Sequence, residues 1–292
     1  MPLRLATRGS ALALAQARQV AEMIGGAELV EVSSDGDPGD KARFVRGVEE
    51  ALLEGAADIG VHSAKDLPVE MPDGLVLAGV PPRENPLDVW IGPGRRLGDV
   101  PAGITVGTAS LRRASQLLAA RPDLEVVEMH GNVDTRLRKQ REGGAGAIVL
   151  AAAGLRRLGR HGEISFPLPA EVMTPAAGQG ALALQTRSAD DLARDAATRI
   201  SAEAAVVSLT AERSVVGELD ASCATPIGVA ASIDGEDLVI DAFVGLADGS
   251  EWIRDRVVGD AAAPAALAAE LAGRLASAGA VDLLRRAEEA AA

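Results

Sequence analysis

The sequence predicts an α/β protein: two α/β halves followed by a smaller α+β portion. Three observations carry this. Short apolar runs end in polar clusters that open helices near residues 8, 65, 112 and 136. Stretches rich in Pro and Gly at 81–86 and 174–180 interrupt that pattern and read as crossings between halves. Beyond Val229 the order changes to three consecutive strands and then an Ala-rich helix.

Leu3-Arg4-Leu5-Ala6 reads as the first strand, and Thr7-Arg8-Gly9-Ser10 turns into a helix from Ala11 to Gly25-Gly26. Ser10 suits the N-cap and the glycines suit the stop. Leu29 to Val32 is a second strand. Residues 33–43 form a loop rich in Gly, Pro and Asp, expected to be mobile, and a helix runs from Phe44 to Leu53. Residues 57–62 read as a buried strand of a parallel sheet, because such strands are near-continuous apolar runs. That strand delivers Ser63, Lys65 and Asp66 to its carboxyl end, where open α/β sheets bind ligands. Pro68 cannot donate to a ladder, so pairing stops before it. The alternative is a surface Lys and Asp in an ordinary loop.

Leu75 to Val80 is another strand, and Asp88 to Ile91 opens the second half. Strands are expected at Ile104 to Val106, Glu125 to Glu128 and Ala147 to Leu150. Gly107-Thr108-Ala109-Ser110-Leu111-Arg112-Arg113 places hydroxyls and two arginines at a helix start, as does Met129-His130-Gly131-Asn132-Val133-Asp134-Thr135-Arg136 with one. Ala181 to Leu184 reads as the chain returning to the first half, with helical pattern from Ala189 to Val216 after it. Strands at Val229 to Ser232, Leu238 to Phe243 and Trp252 to Val258 precede a helix over Ala262 to Leu275 and further helix to the terminus.

Composition narrows function. At 292 residues and 48% apolar, the chain can bury a sizeable core. Aromatics are 2%, too few to build base-stacking platforms. The net charge of −13 argues against nucleic-acid and membrane partners. With no apolar run of membrane-spanning length and no signal peptide, a cytoplasmic protein is expected. Lys41, Lys65 and Lys139 are the lysines, so 26 of the 29 cationic side chains are arginines. Arginine pairs a planar fork with both oxygens of a carboxylate. Cationic strand-turn-helix junctions recurring over both halves suggest a cleft for several anionic groups. The alternative is ordinary helix flanking in an Arg-rich chain. Cys223 stands alone, so no internal disulfide is possible.

Taken together, these motifs resemble the porphobilinogen deaminase (hydroxymethylbilane synthase) family. The pieces that carry the resemblance are Val61-His62-Ser63-Ala64-Lys65-Asp66-Leu67-Pro68, the junctions at 107–113 and 131–136, Ala177-Gly178-Gln179-Gly180 and Cys223-Ala224-Thr225-Pro226-Ile227-Gly228. The resemblance implies two α/β domains like those of bilobed periplasmic binding proteins (1–82 with 181–199, and 86–176) and a small α+β domain (203–292). It implies head-to-tail condensation of four porphobilinogen molecules with loss of ammonia, released as hydroxymethylbilane for tetrapyrrole biosynthesis. The product would grow on a dipyrromethane cofactor held by a thioether to Cys223, with Asp66 as the catalytic carboxylate. Lys65, Ser63, Thr108, Ser110, Arg112, Arg113, His130 and Asn132 would bind the cofactor. Arg8, Ser10, Arg136, Gln179 and Lys41 would bind substrate. No metal is implied, and a monomer is expected. The family commonly has Arg where His130 stands, and a Gly-Gly-x-Gly stretch where this chain has Pro38 to Arg43. A bilobed anion-binding protein without chemistry is the rival; it explains the cationic junctions but not Cys223.

Overall fold

The computed structural model describes residues 2–33, 43–221 and 225–291. The chain opens with β1 (Leu3–Arg8), α1 (Ala11–Met23), β2 (Ala27–Val32), α2 (Arg43–Leu53), β3 (Ile59–Ser63) and β4 (Leu75–Gly79). Next come β5 (Asp88–Ile91), β6 (Thr105–Gly107), α3 (Leu111–Ala120), β7 (Glu125–Val127), α4 (Val133–Arg141), β8 (Ala147–Ala151), α5 (Ala152–Arg157) and β9 (Phe166–Pro167). The remainder is β10 (Leu182–Arg187), α6 (Asp191–Arg199), α7 (Glu203–Glu218), β11 (Ile227–Asp234), β12 (Asp237–Gly245), β13 (Trp252–Asp260), α8 (Pro264–Ser277) and α9 (Ala280–Ala291). Two compact units result: Met1–Glu84 with Gly180–Val206, and Asn85–Gln179 with Val207–Ala292.

The first unit holds a five-stranded sheet in the order β2-β1-β3-β10-β4. β1 pairs in parallel with both β2 and β3, but β10 runs antiparallel between β3 and β4. The sheet is therefore mixed, where the apolar run at 57–62 predicted a parallel one. The physical reason is topological: β10 enters after a long excursion and fills the slot beside β3 in the opposite direction. Ile59, Val61, Leu182 and Leu184 are nonetheless buried, as the run required. α1 is capped by Ser10, whose hydroxyl accepts from the Ala13 amide, and buries Ala13, Gln16, Ala17 and Val20. The helical pattern predicted over 189–216 resolves into two helices, α6 and α7. At the break, the Ser201 hydroxyl donates to Ala197 O (2.9 Å) and accepts from Val80 N (2.9 Å), tying the end of α6 to the end of β4.

The second unit repeats the arrangement with β7-β6-β8-β5-β9. β6 has parallel partners on both sides, and β5 is antiparallel to β8 and β9. Its core centres on Trp90, Leu117, Phe166 and Met173, with Trp90 and Phe166 stacked at 5.9 Å. The unit also contains the antiparallel sheet β11-β12-β13. Helices α7, α8 and α9 pack on that sheet through Val215, Leu271 and Leu284, against Val229 and Ile240. On α7, Glu212 is fully buried; its carboxylate accepts from Gly178 N (2.6 Å) and Ala231 N (2.7 Å). β11 is held against the 174–180 segment by Val229 N donating to Pro175 O (2.8 Å). Gly228 permits that approach, because a Cβ there would lie 2.5 Å from Thr174 O.

In the first unit, α2 packs on the sheet through Val45, Val48, Ala51 and Leu52. Gly60 leaves space beneath it, since a Cβ there would meet Val48 at 2.6 Å and the His62 ring at 3.1 Å. A polar chain crosses this apolar layer. Gln185 donates Nε2–H to Glu49 Oε1 (3.0 Å), so its Oε1 faces His62 Nε2 at 3.0 Å. The carboxylate can only accept, which fixes the amide and makes His62 the Nε2–H tautomer. Burial lowers the His62 pKa to about 4, against the partial support of Gln185. The unfolded chain therefore takes up a proton near pH 6.5 that the folded chain refuses until about pH 4, so stability falls as pH drops through that window. The cost approaches about 3 kcal/mol at full extent. Urea midpoints measured from pH 7 to pH 4 should fall, and the fall should be shallower in His62→Gln; equal slopes would assign the acid sensitivity to other groups.

Candidate active site

In the first unit, the carboxyl ends of the parallel strands β1 and β3 lie side by side. Arg8 ends β1, and Ser63 ends β3 before a single 3-10 turn, Ala64–Asp66. Arg8 Nη2 reaches Asp66 Oδ2 at 3.8 Å, with both side chains part-exposed. A small cleft here is lined by Arg8, Ala13, Gln16, Val61, His62, Ser63 and Asp66. Gln16 donates to the Ser63 hydroxyl at 2.8 Å. Lys65 is half-buried in the same turn. Ser10 spends its hydroxyl oxygen on the cap of α1. The arrangement joins a carboxylate, a guanidinium and neutral donors at the carboxyl edge of the parallel strands, the usual position for a ligand in an open α/β sheet.

In the second unit, the Thr108 hydroxyl accepts from Ser110 N (3.1 Å), and the Ser110 hydroxyl caps α3 through Arg113 N. Arg112 and Arg113 are both 5% exposed, and both pair with Asp88, which is fully buried. Arg112 also donates to Thr174 O (2.7 Å), and Arg113 to Val149 O (3.1 Å). Burial lowers the Arg112 pKa more than Asp88 restores it, with Arg113 adding repulsion. Gln179 lies in the same network, donating to Pro86 O (2.6 Å) and Asp88 Oδ1 (3.1 Å). Arg136, one turn into α4, differs from these. Its Nε is buried with no hydrogen-bond partner among the described residues. Burial, then repulsion from Arg113, lowers its pKa to about 10.

His130 and Asn132 lie at the start of α4. Asn132 accepts from Thr135 N as the N-cap, and Gly131 adopts φ +127 where a Cβ would meet Thr135 at 2.6 Å. The His130 side chain is 70% exposed and pairs with Glu128 at 2.6 Å. The expectations for Lys41, Cys223 and all but the two end residues of the loop at 33–43 fall outside the described residues. Sequence reasoning passed over Gln16, Asp88, Gln116 and Glu212. Gln16 offered a signal, being a polar residue on the face shared by Ala13, Ala17 and Val20; Asp88 was another, a carboxylate opening an otherwise apolar strand. Among the described residues no helix is long and apolar enough to cross a membrane, and no cluster of His, Cys, Asp and Glu could hold a metal.

Comparison with known proteins bears on nearly the whole chain. Residues 3–195 match the family model "Porphobilinogen deaminase, dipyromethane cofactor binding domain", and residues 206–277 match "Porphobilinogen deaminase, C-terminal domain". A porphobilinogen deaminase from Syntrophus aciditrophicus is 40% identical, covering 98% of this chain and 99% of its own. One from Deinococcus deserti is 42% identical over 97% of this chain and 98% of its own. Among solved structures, the second substrate binding domain of a putative amino acid ABC transporter from Streptococcus pneumoniae is 13% identical with a TM-score of 0.42, covering 68% of this chain and 91% of its own. With two family models spanning most of its length and relatives at this identity, the chain belongs to the porphobilinogen deaminase family of enzymes.

Proposed function

We propose that the chain condenses four porphobilinogen molecules on a dipyrromethane primer attached to Cys223. The observation that carries this is the charge balance behind α3 and α4. Arg112 and Arg113 share one carboxylate, Asp88, and Arg136 adds a third guanidinium whose buried Nε lacks a partner among the described residues. Desolvated positive charge in excess asks for an anion: the acetate and propionate arms of a dipyrromethane meet that demand at Arg112 and Arg113, and those of an incoming porphobilinogen meet it at Arg136. When bound, the dipyrromethane supplies the pyrrole α-carbon that is extended and keeps the growing product attached.

The residues of the chain do the rest. In the first unit, Asp66 faces the reacting substrate and Arg8 orients its carboxylate. As the aminomethyl C–N bond breaks, the electron pair leaves with ammonia and positive charge develops on the pyrrole nitrogen. A fixed carboxylate stabilises that charge more in the transition state than in the ground state. Ser63 and Gln16 offer neutral donors beside it, and Lys65 supplies a cation for a carboxylate arm. In the second unit, Thr108 and Ser110 fix the start of α3, while Asp88, Thr174 O and Val149 O hold Arg112 and Arg113 in place. Gln179 braces the same carboxylate. His130 and Asn132 bear on the start of α4.

Intact mass tests the attachment. Wild type should exceed the sequence mass by one dipyrromethane and colour with acidic dimethylaminobenzaldehyde; Cys223→Ser should show the bare mass, no colour and no turnover. A bare mass for wild type would overturn the proposal. Asp66→Asn keeps shape but removes charge, and kcat should fall by about 10²–10³ with the mass adduct retained; near-normal turnover would move the catalytic role elsewhere. Arg136→Met should raise KM for porphobilinogen about tenfold. In the cofactor-free Cys223→Ser background, the same change should raise the thermal midpoint by about 2–4 °C, because a buried charge in want of a partner is removed. A lowered midpoint there would show that Arg136 is paired within the protein.

A further inference from the structure

β3 is only five residues long, yet the turn that carries Lys65 and Asp66 hangs from its end. Backbone bonds tether the turn from Ala64 N to Ala181 O (3.0 Å) and from Leu67 N to Ala64 O (3.2 Å), and its direction is inherited from β3. Successive residues of a strand point to opposite faces. On one face Ser63 is tied to Gln16 of α1. On the other, His62 is tied through Gln185 of β10 to Glu49 of α2. Gln16, His62 and Gln185 are 3%, 4% and 0% exposed, so three polar groups occupy positions that apolar side chains would fill at lower desolvation cost. Each link beyond β3 has a fixed sense, because the Glu49 carboxylate sets the Gln185 amide and the amide sets the His62 tautomer.

We propose that Glu49, Gln185 and His62 are positioning residues for Asp66: with Gln16 and Ser63 on the opposite face, they clamp the end of β3 and hold the catalytic turn. The proposal rests on Asp66 being the catalytic carboxylate. A carboxylate must be held within a fraction of an ångström of its productive place, and displacement by about 1 Å costs up to about 10² in rate. Glu49 is the member to test, since it is half-buried on a helix and touches no proposed substrate contact.

The experiment uses the full chain with its cofactor, checked by intact mass, and measures kcat and KM. Glu49→Ala should lower kcat about tenfold and leave KM within about twofold. Glu49→Gln still offers an oxygen to Gln185 and should restore kcat. In the Asp66→Asn background, Glu49→Ala should cost little further, because the group it positions no longer carries charge. An equal cost in both backgrounds, or wild-type kcat in Glu49→Ala, would overturn the clamp while leaving Asp66 in its role. Wild-type turnover in Asp66→Asn alone would overturn the catalytic assignment and the clamp with it.

Discussion

The second unit turns on the pairing of Asp88 with Arg112 and Arg113. The carboxylate is fully buried at the first position of β5, and it is shared between two guanidiniums from the first turn of α3. Removing one partner from such a group leaves an uncompensated buried charge, at a cost of about 3–5 kcal/mol. The strand cannot shift relative to the helix without breaking several charge-assisted bonds together. Gln179 and Thr174 join the same group, so the 174–180 segment is fixed by it as far as Gln179.

That segment in turn organises the antiparallel sheet of the unit. Thr174 exchanges both backbone bonds with the Gln116 amide (2.7 and 3.0 Å), and Gln116 accepts from Arg254 of β13 (3.2 Å). Pro175 accepts from Val229, and Gly178 donates to Glu212. One strap therefore meets the helix bearing the paired arginines, the helix α7 and the strand β11. Most of these bonds are buried, where an unmade bond costs more than a made one gains. The first unit has a counterpart in Arg187, which donates to Leu52 O and Ala57 O around the end of α2 and pairs with Asp58 and Asp190.

Much of the fold was legible because periodicity and punctuation are local. Ser10, Ser110 and Asn132 stand at helix starts, and all three accept a backbone amide there. The strands at 29–32, 88–91 and 238–243 were visible as apolar or alternating runs, with some ends displaced where pairing outlasts the apolar signal. What periodicity could not give was direction. Whether β10 runs with or against β3 depends on where the intervening chain returns, and the apolar run Ala181 to Leu184 is the same either way. The short β9 and α5 escaped for lack of length.

For the site, residue order alone specifies the chemical inventory: which carboxylates, arginines and hydroxyls sit at strand ends and helix starts. Residue type and position in an element are local facts. Folding settles how that inventory is spent. Arg112, Arg113 and Arg136 are alike as residues, yet two are matched by a carboxylate from a different element, while Nε of the third is buried without a partner among the described residues. His130 looks as well placed as Arg136 along the chain, but its partner is Glu128 at the surface. Desolvation and pairing depend on neighbours brought from elsewhere in the chain, and only the folded arrangement supplies them.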